Sequence, residues 1–206
     1  QDQVELGLMR SGHHEIARAY VLYREGRAQE RAKAAAQIAP PTQVLHTLDR
    51  GERTALDMAR LRRLIESACA GLGADVKAEP ILAETVRNLY DGVPMEEVYK
   101  ASILAARTLI ETDPDYTYAA ARLLYHTIAR EVLGQDLTQA DIAQAYVEYF
   151  ADFIGKGVSH GLLDERLQQF DLSRLASAIK PERDLKFDYL GLQTLYDRYF
   201  LHVDKV

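Results

Sequence analysis

The sequence predicts a mainly α-helical protein, a helical bundle with one small β-hairpin. Apolar residues recur at helical spacing through most of the 206 residues, and Gly, Pro and Asp separate these runs at short intervals. Only residues 44–55 have the pattern of a hairpin, two short β-compatible runs around the polar turn 49–52. With 48% hydrophobic and 27% charged residues, the chain can bury a substantial core.

The first segment is predicted to be helical and separate from the rest. Ile16, Tyr20 and Tyr23 follow one another at i, i+4 and i+7. Pro40-Pro41 cannot continue a helix, so we place a linker and the main boundary of the chain there.

The hairpin is followed by a series of helices. Asp57 is predicted to cap the first of them, which carries Leu61, Leu64, Ile65 and Ala68 along one face. Further helices are predicted over residues 78–90, 94–111, 115–133, 138–155, 163–169, 172–179 and 189–201.

Turn chemistry sets the limits of these helices. Pro94 is expected in the first turn of one helix, and the segment 112–115 is expected to end that helix and, through Asp115, to cap the next. Gly134, followed by Asp136 and Thr138, repeats this arrangement. The acidic pairs at predicted helix starts are therefore interpreted as capping groups rather than as acid/base catalysts.

Composition excludes several classes of function. The net charge of −6 provides no basic field for a nucleic-acid backbone, and no apolar stretch approaches the roughly 20 residues that cross a bilayer. Without a signal-peptide pattern at the first residues, a cytoplasmic protein is expected. The single cysteine, Cys69, excludes a disulfide within the chain and lies among small and apolar neighbours that favour a buried thiol.

The sequence offers no catalytic or metal-binding constellation. His13 and His14 point about 100° apart on a helix and lack ligands at i+3 or i+4, so solvated histidines are expected. No Walker loop, dinucleotide glycine fingerprint or Ser-His-Asp set is present. The aromatic residues of the helix after Thr138 are interpreted as a buried stripe; they are Tyr146, Tyr149, Phe150 and Phe153.

Three segments, in fixed order, carry a resemblance to a known family. Residues 44–72 resemble the opening of an ATP-cone, a small nucleotide-sensing module. Residues 88–124, which end in Asp-Pro-Asp-Tyr-Thr-Tyr-Ala-Ala-Ala-Arg-Leu-Leu, and residues 182–195 resemble the large (alpha) subunits of class I ribonucleoside-diphosphate reductases. Residues 15–27 are similar to the closing helix of a further cone.

This resemblance implies a regulatory fragment without an active site. It implies that residues 1–39 are the C-terminal helices of a truncated first cone, residues 42–134 a second, degenerate cone, and residues 135–206 a helical segment leading to an absent catalytic barrel. The fragment would hold no cofactor. In the parent protein, ATP and dATP would act as allosteric effectors, and the partners would be a radical-generating small subunit and further large subunits in a homo-oligomer.

The resemblance also assigns a candidate nucleotide face. Arg60 and Arg130 stand where the family places basic side chains near the phosphates, and Arg50 lies on the hairpin turn. In the first cone, Tyr23 and Arg27 lie on the helix that helps to close the pocket, although a packed helix face is the interpretation we favour for this pair within the fragment.

Two positions of the hairpin depart from the family pattern. Leu48 and Asp49 occupy the places of a Lys-Arg pair. Loss of two charge-assisted hydrogen bonds would remove roughly 3 to 6 kcal/mol, about two to four decades of affinity. The sequence therefore predicts that this cone retains its fold but binds ATP or dATP weakly or not at all.

Two rival interpretations stay open. A stand-alone nucleotide-sensing module, such as a cone-bearing repressor, would fit the cone but not the absence of a zinc-ribbon cysteine set. A helical scaffold without a ligand would respond to no nucleotide.

Overall fold

The computed structural model describes residues 45–49 and 51–203. In this part of the chain the fold is mainly α-helical with one small sheet, which confirms the predicted fold class. The strands are β1 (His46–Asp49), β2 (Glu52–Ala55) and β3 (Val93–Pro94). The α-helices are α1 (Met58–Cys69), α2 (Ala78–Arg87), α3 (Met95–Thr108), α4 (Tyr116–Leu133), α5 (Gln139–Ser159), α6 (Leu172–Ala178) and α7 (Tyr189–Arg198). Short 3₁₀ helices occupy Leu109–Glu111, Glu165–Gln169 and Pro181–Lys186.

The sheet has the strand order β2-β1-β3, and its third strand was not predicted. β1 pairs with β2 as an antiparallel hairpin and with β3 in parallel, where Thr47 lies opposite Val93. Gly92 enters β3 at a φ of 82°, a conformation that favours glycine, and its N–H donates to the His46 carbonyl at 2.8 Å. Pro94 therefore belongs to β3 and occupies the N-cap position of α3, so its predicted place in the first helical turn was wrong by one residue.

Two of the three predicted helix caps form. The Asp57 carboxylate accepts from the Arg60 N–H at 2.9 Å, and the Thr138 hydroxyl accepts from the Asp141 N–H at 3.3 Å. Asp115 occupies the cap position of α4 but makes no capping bond with its side chain, contrary to prediction. Its backbone is already helical, at φ −67° and ψ −15°, whereas a capping side chain needs an extended backbone to reach over the first turn.

The core lies around α4, which packs against α1, α3 and α7. Ala119, Ala120 and Ala121 are all buried, so α4 is covered on several sides rather than along one stripe. From α1, the predicted apolar face supplies the buried residues Leu61 and Ile65. α4 also carries His126, which lines the cavity described below, and Arg130, which contacts two of the lining residues.

The aromatic stripe predicted on α5 is only partly buried. Tyr146 and Phe153 are 42% and 40% exposed, and Tyr149 and Phe150 are half-buried. The prediction of a buried stripe was therefore wrong for Tyr146 and Phe153. The elements that pack on α5 are α4, the short α6 and two 3₁₀ helices, and they leave part of the stripe exposed.

Cys69 is half-buried at the end of α1. Burial raises the pKa of its thiol to about 11, so the thiolate is scarce at neutral pH and the residue is not an activated nucleophile. Within residues 45–49 and 51–203, no helix has the length and apolarity needed to span a bilayer, and no cluster of three or more His, Cys, Asp or Glu side chains is arranged to hold a metal. The predicted first-cone segment, residues 1–39, lies outside the described residues, as do His13 and His14.

Candidate functional site

A cavity of about 620 Å³ lies between the hairpin, the start of α1, α3 and the segment that leads into α5. Small-molecule sites in proteins have volumes of about 300 to 1,000 Å³, so the cavity is large enough for a ligand of nucleotide size. Its lining includes the polar residues Thr47, Asp49, Arg60, Tyr99, His126 and Asp136.

Arg60 is held at the cavity by the cap of its own helix. The Asp57 bond fixes the first turn of α1, where Arg60 lies. Its Nη2 donates to the backbone carbonyl of Asp136 at 2.8 Å and lies 3.0 Å from the Asp136 carboxylate. The positive charge of Arg60 is therefore balanced within the protein.

Asp136 joins three elements at one side of the cavity. The Tyr99 hydroxyl donates to its Oδ2 at 2.6 Å, and Nε2 of His126 lies 3.1 Å from its Oδ1. Burial by itself would raise the pKa of Asp136, but the hydrogen bonds from His126 and Tyr99 and the charge of Arg60 lower it to about 2. Burial, and then the bond to Asp136, raise the pKa of Tyr99, so at neutral pH Tyr99 is a hydrogen-bond donor to a carboxylate.

His126 contributes a buried ring at the same place. Its side chain is 6% exposed, and its ring lies 5.3 Å from that of Tyr99, centre to centre. With Nε2 directed to Asp136, Nδ1 has no hydrogen-bond partner among the described residues.

Arg130 lies one helical turn beyond His126, on the same face of α4. Its Nη2 donates to Oδ1 of Asp49 at 2.9 Å, and its guanidinium carbon lies 5.4 Å from the centre of the Tyr99 ring. The side chain of Arg130 is 17% exposed, against 47% for Asp49. A carboxylate therefore covers this cation as well.

The structure places one of the five predicted site residues in the lining of the cavity and a second beside it. Arg60 lines it, and Arg130 contacts Asp49 and Tyr99, which also line it. The other three predicted residues, Arg50, Tyr23 and Arg27, lie outside the described residues.

Sequence reasoning missed three residues of the site. Asp136 was interpreted as part of a helix start, and neither Tyr99 nor His126 was predicted to be a site residue. The four-residue spacing of His126 and Arg130 was a usable signal, because it places both side chains on one face of α4. No local pattern indicated that this face would meet Asp136, since that contact depends on tertiary packing.

The cavity retains little free positive charge. Arg60 is paired with Asp136, and Arg130 with Asp49. Arg63, which is exposed and lines the cavity, forms no ion pair with any residue that the structure describes. A polyphosphate would have to displace a carboxylate to reach either paired cation.

Comparisons with known proteins connect this cavity to a family. Residues 49–131 match the model of the ATP cone domain. The chain is 36% identical to the alpha subunit of ribonucleoside-diphosphate reductase from Chlamydia muridarum, over 99% of the chain and 20% of that relative. The corresponding subunit of Chlamydia trachomatis is 36% identical over 98% of the chain and 20% of the relative, and subunit alpha of reductase 1 from Escherichia coli is 27% identical over 73% of the chain and 19% of the relative.

The chain carries an ATP cone and belongs to the family of ribonucleoside-diphosphate reductase alpha subunits. It spans about a fifth of the length of the curated relatives it matches. An ATP cone is a nucleotide-effector domain. Four of the six polar cavity residues named above lie within the matched cone; Thr47 precedes it by two positions, and Asp136 follows it by five. The cavity of this ATP cone is thus completed by a residue from the segment leading into α5.

Proposed function

We propose that this chain is the regulatory portion of a cytoplasmic ribonucleoside-diphosphate reductase alpha subunit. The observation that carries the proposal is the similarity over 99% of the chain to reductase alpha subunits, together with the ATP cone at residues 49–131. The parent protein would convert ribonucleoside diphosphates to deoxyribonucleotides under allosteric control by ATP and dATP. The chemistry would take place in a part of that protein beyond this chain.

The second half of the proposal is that this cone binds ATP and dATP weakly. Both arginines that the family places near the phosphates are bonded to carboxylates, Arg60 to Asp136 and Arg130 to Asp49. An entering triphosphate would lose charge-assisted bonds of about 1.5 to 3 kcal/mol each and would meet two negative side chains. Arg63 provides one compensating charge at most.

Strong nucleotide sensing is accordingly assigned to the first cone. We propose that residues 1–39 belong to that cone, that residues 42–134 form the weak second cone, and that residues 135–206 connect it to the catalytic part. Tyr23 and Arg27 would then contribute to the pocket of the first cone in the intact protein.

The surface of the connecting segment supports assembly with further protein. Several large apolar side chains there are exposed, among them Phe170 at 60%, Leu190 at 72% and Tyr199 at 69%. Large apolar side chains left exposed are candidates for burial in an assembly. The proposed partners are the remainder of the alpha subunit, a second alpha subunit and the radical-generating small subunit.

Calorimetric titration with dATP, carried out on this chain and on the intact protein, tests the proposal. We expect the intact protein to bind dATP with micromolar affinity and this chain to bind it at least about 100-fold more weakly, the lower end of the loss estimated from two missing bonds. In the intact protein, Arg27→Ala should weaken binding, whereas the matched substitution Arg130→Ala should leave it within about twofold.

Micromolar binding of dATP by this chain would contradict the weak second cone. If the intact protein bound neither ATP nor dATP and its reductase activity did not respond to them, the regulatory function itself would be wrong and a ligand-free scaffold would remain.

A further inference from the structure

Asp49 and Asp136 each pair with an arginine at the cavity, but their carboxylates differ in the number of partners they have. Asp136 is bonded to Tyr99, His126 and Arg60 together. Among the residues that the structure describes, the Asp49 carboxylate has a single partner, Arg130, at 2.9 Å. Asp49 can therefore be changed without dismantling the polar cluster, whereas Asp136 cannot.

The position of Asp49 at the end of β1 directs its carboxylate over the cation. Asp49 closes the hairpin opposite Glu52 and lines the cavity. Because Arg130 is 17% exposed and Asp49 is 47% exposed, the carboxylate is the more accessible member of the pair. A ligand that enters the cavity meets the negative group first.

Arg130 is also oriented by a contact that does not involve Asp49. Its guanidinium lies over the Tyr99 ring, 5.4 Å from the ring centre, and Tyr99 is itself fixed by its bond to Asp136. Loss of the Asp49 charge would therefore leave the guanidinium in place with donors free. A planar guanidinium held in this way suits an oxyanion such as phosphate.

We propose that Asp49 determines the ligand class of this cavity, acting as an internal anion that occupies Arg130 and excludes polyphosphates. The inference rests on the proposed function only in taking the cavity as the ligand site of the cone. Neutralising Asp49 should release Arg130 and convert the cavity into one that accepts the phosphates of a nucleotide.

The test is a titration of the whole chain with inorganic tripolyphosphate at low ionic strength, comparing wild type, Asp49→Asn and Asp91→Asn. Asp91 is the matched control, because its carboxylate pairs with Arg53 and His46 on the same sheet but does not line the cavity. Both substitutions remove one negative charge with little change of shape. We expect Asp49→Asn to gain about 10-fold to 100-fold in affinity, the value of one charge-assisted bond, and Asp91→Asn to gain less than about threefold.

A double variant, Asp49→Asn with Arg130→Gln, assigns the gain to the released cation. The gain should disappear in this variant. Equal gains for Asp49→Asn and Asp91→Asn, no gain for either, or a gain that survives the loss of Arg130 would overturn the inference.

The role of Asp49 and the proposed function are tested by different results. Should the wild-type chain bind dATP at micromolar concentration, the weak-cone proposal falls, while a further gain on Asp49→Asn would still support the role of Asp49. Circular dichroism and thermal unfolding of each variant establish that the fold is intact.

Discussion

At the scale of single residues, the pKa of a partly buried carboxyl group depends on the groups around it and not on burial alone. Asp136 and Asp184 are both partly buried carboxylates, yet their pKa values shift in opposite directions. Bonds from His126 and Tyr99 outweigh burial and lower the pKa of Asp136 to about 2. No described residue donates a hydrogen bond to the Asp184 carboxylate, and burial and then the charge of Glu182 raise its pKa.

Asp136→Asn should destabilise the protein in a pH-dependent way. Because the folded-state pKa of about 2 lies below the ordinary value of 3.8, the carboxylate stabilises the fold above about pH 4, and this contribution is lost as the pH falls towards 2. The expected loss at pH 7 is of the order of 2 kcal/mol, shrinking at pH 3. Urea denaturation at both pH values measures it.

Asp184→Asn is the matched control, because its effect on stability should have the opposite sign. A carboxyl group whose folded-state pKa is raised opposes folding as the pH rises above its unfolded value, so this substitution should be neutral or stabilising at pH 7. If the two variants lost the same stability at pH 7, the bonds of Asp136 would not be the cause.

At the scale of elements, local signals predicted the helices and missed what depends on distant partners. Asp57 and Thr138 were recognisable as caps because a capping bond joins residues only three positions apart. β3 has two residues, and it exists because β1 lies beside it in parallel. The ion pairs of the site could not be predicted from local patterns for the same reason, since Asp49 and Arg130 are 81 positions apart.

Helix α5 offers a matched pair of glycines for testing local packing. A Cβ on Gly157 would lie 2.5 Å from Cδ1 and 2.7 Å from Cγ of Leu163, whereas a Cβ on Gly155 would meet nothing within 4 Å. Gly155→Ala should therefore raise stability by about 0.5 to 1 kcal/mol through helix propensity. Gly157→Ala should lower it by about 1 to 3 kcal/mol, because Leu163 must be displaced.

Thermal unfolding of the two variants checks this expectation. A Gly157→Ala variant as stable as Gly155→Ala would show that Leu163 moves aside freely, and that the turn after α5 is not tightly packed.

At the scale of the whole molecule, the described core does not stop where the matched cone ends. Leu192 of α7 is 3% exposed and belongs to the same apolar core as residues of α1 and α4. Two polar contacts strengthen this joint: the Tyr189 N–H donates to the Thr117 hydroxyl at 3.2 Å, and the Tyr196 hydroxyl donates to Glu131 at 2.7 Å. Sequence patterns suggested a boundary near residue 134, but a helix pattern alone cannot show whether two segments share a core.

Leu192→Ala tests whether the cone and the connecting segment unfold together. Removal of a buried leucine should cost about 2 to 5 kcal/mol. If the core is continuous, amide hydrogen exchange should accelerate in α4 as well as in α7, because the lost packing lowers the stability of one cooperative unit. Leu190→Ala is the matched control, since Leu190 lies on the same helix but is 72% exposed, and it should change exchange in neither helix. Faster exchange confined to α7 in Leu192→Ala would instead establish the cone as an independent unit, and would favour a domain boundary near residue 134.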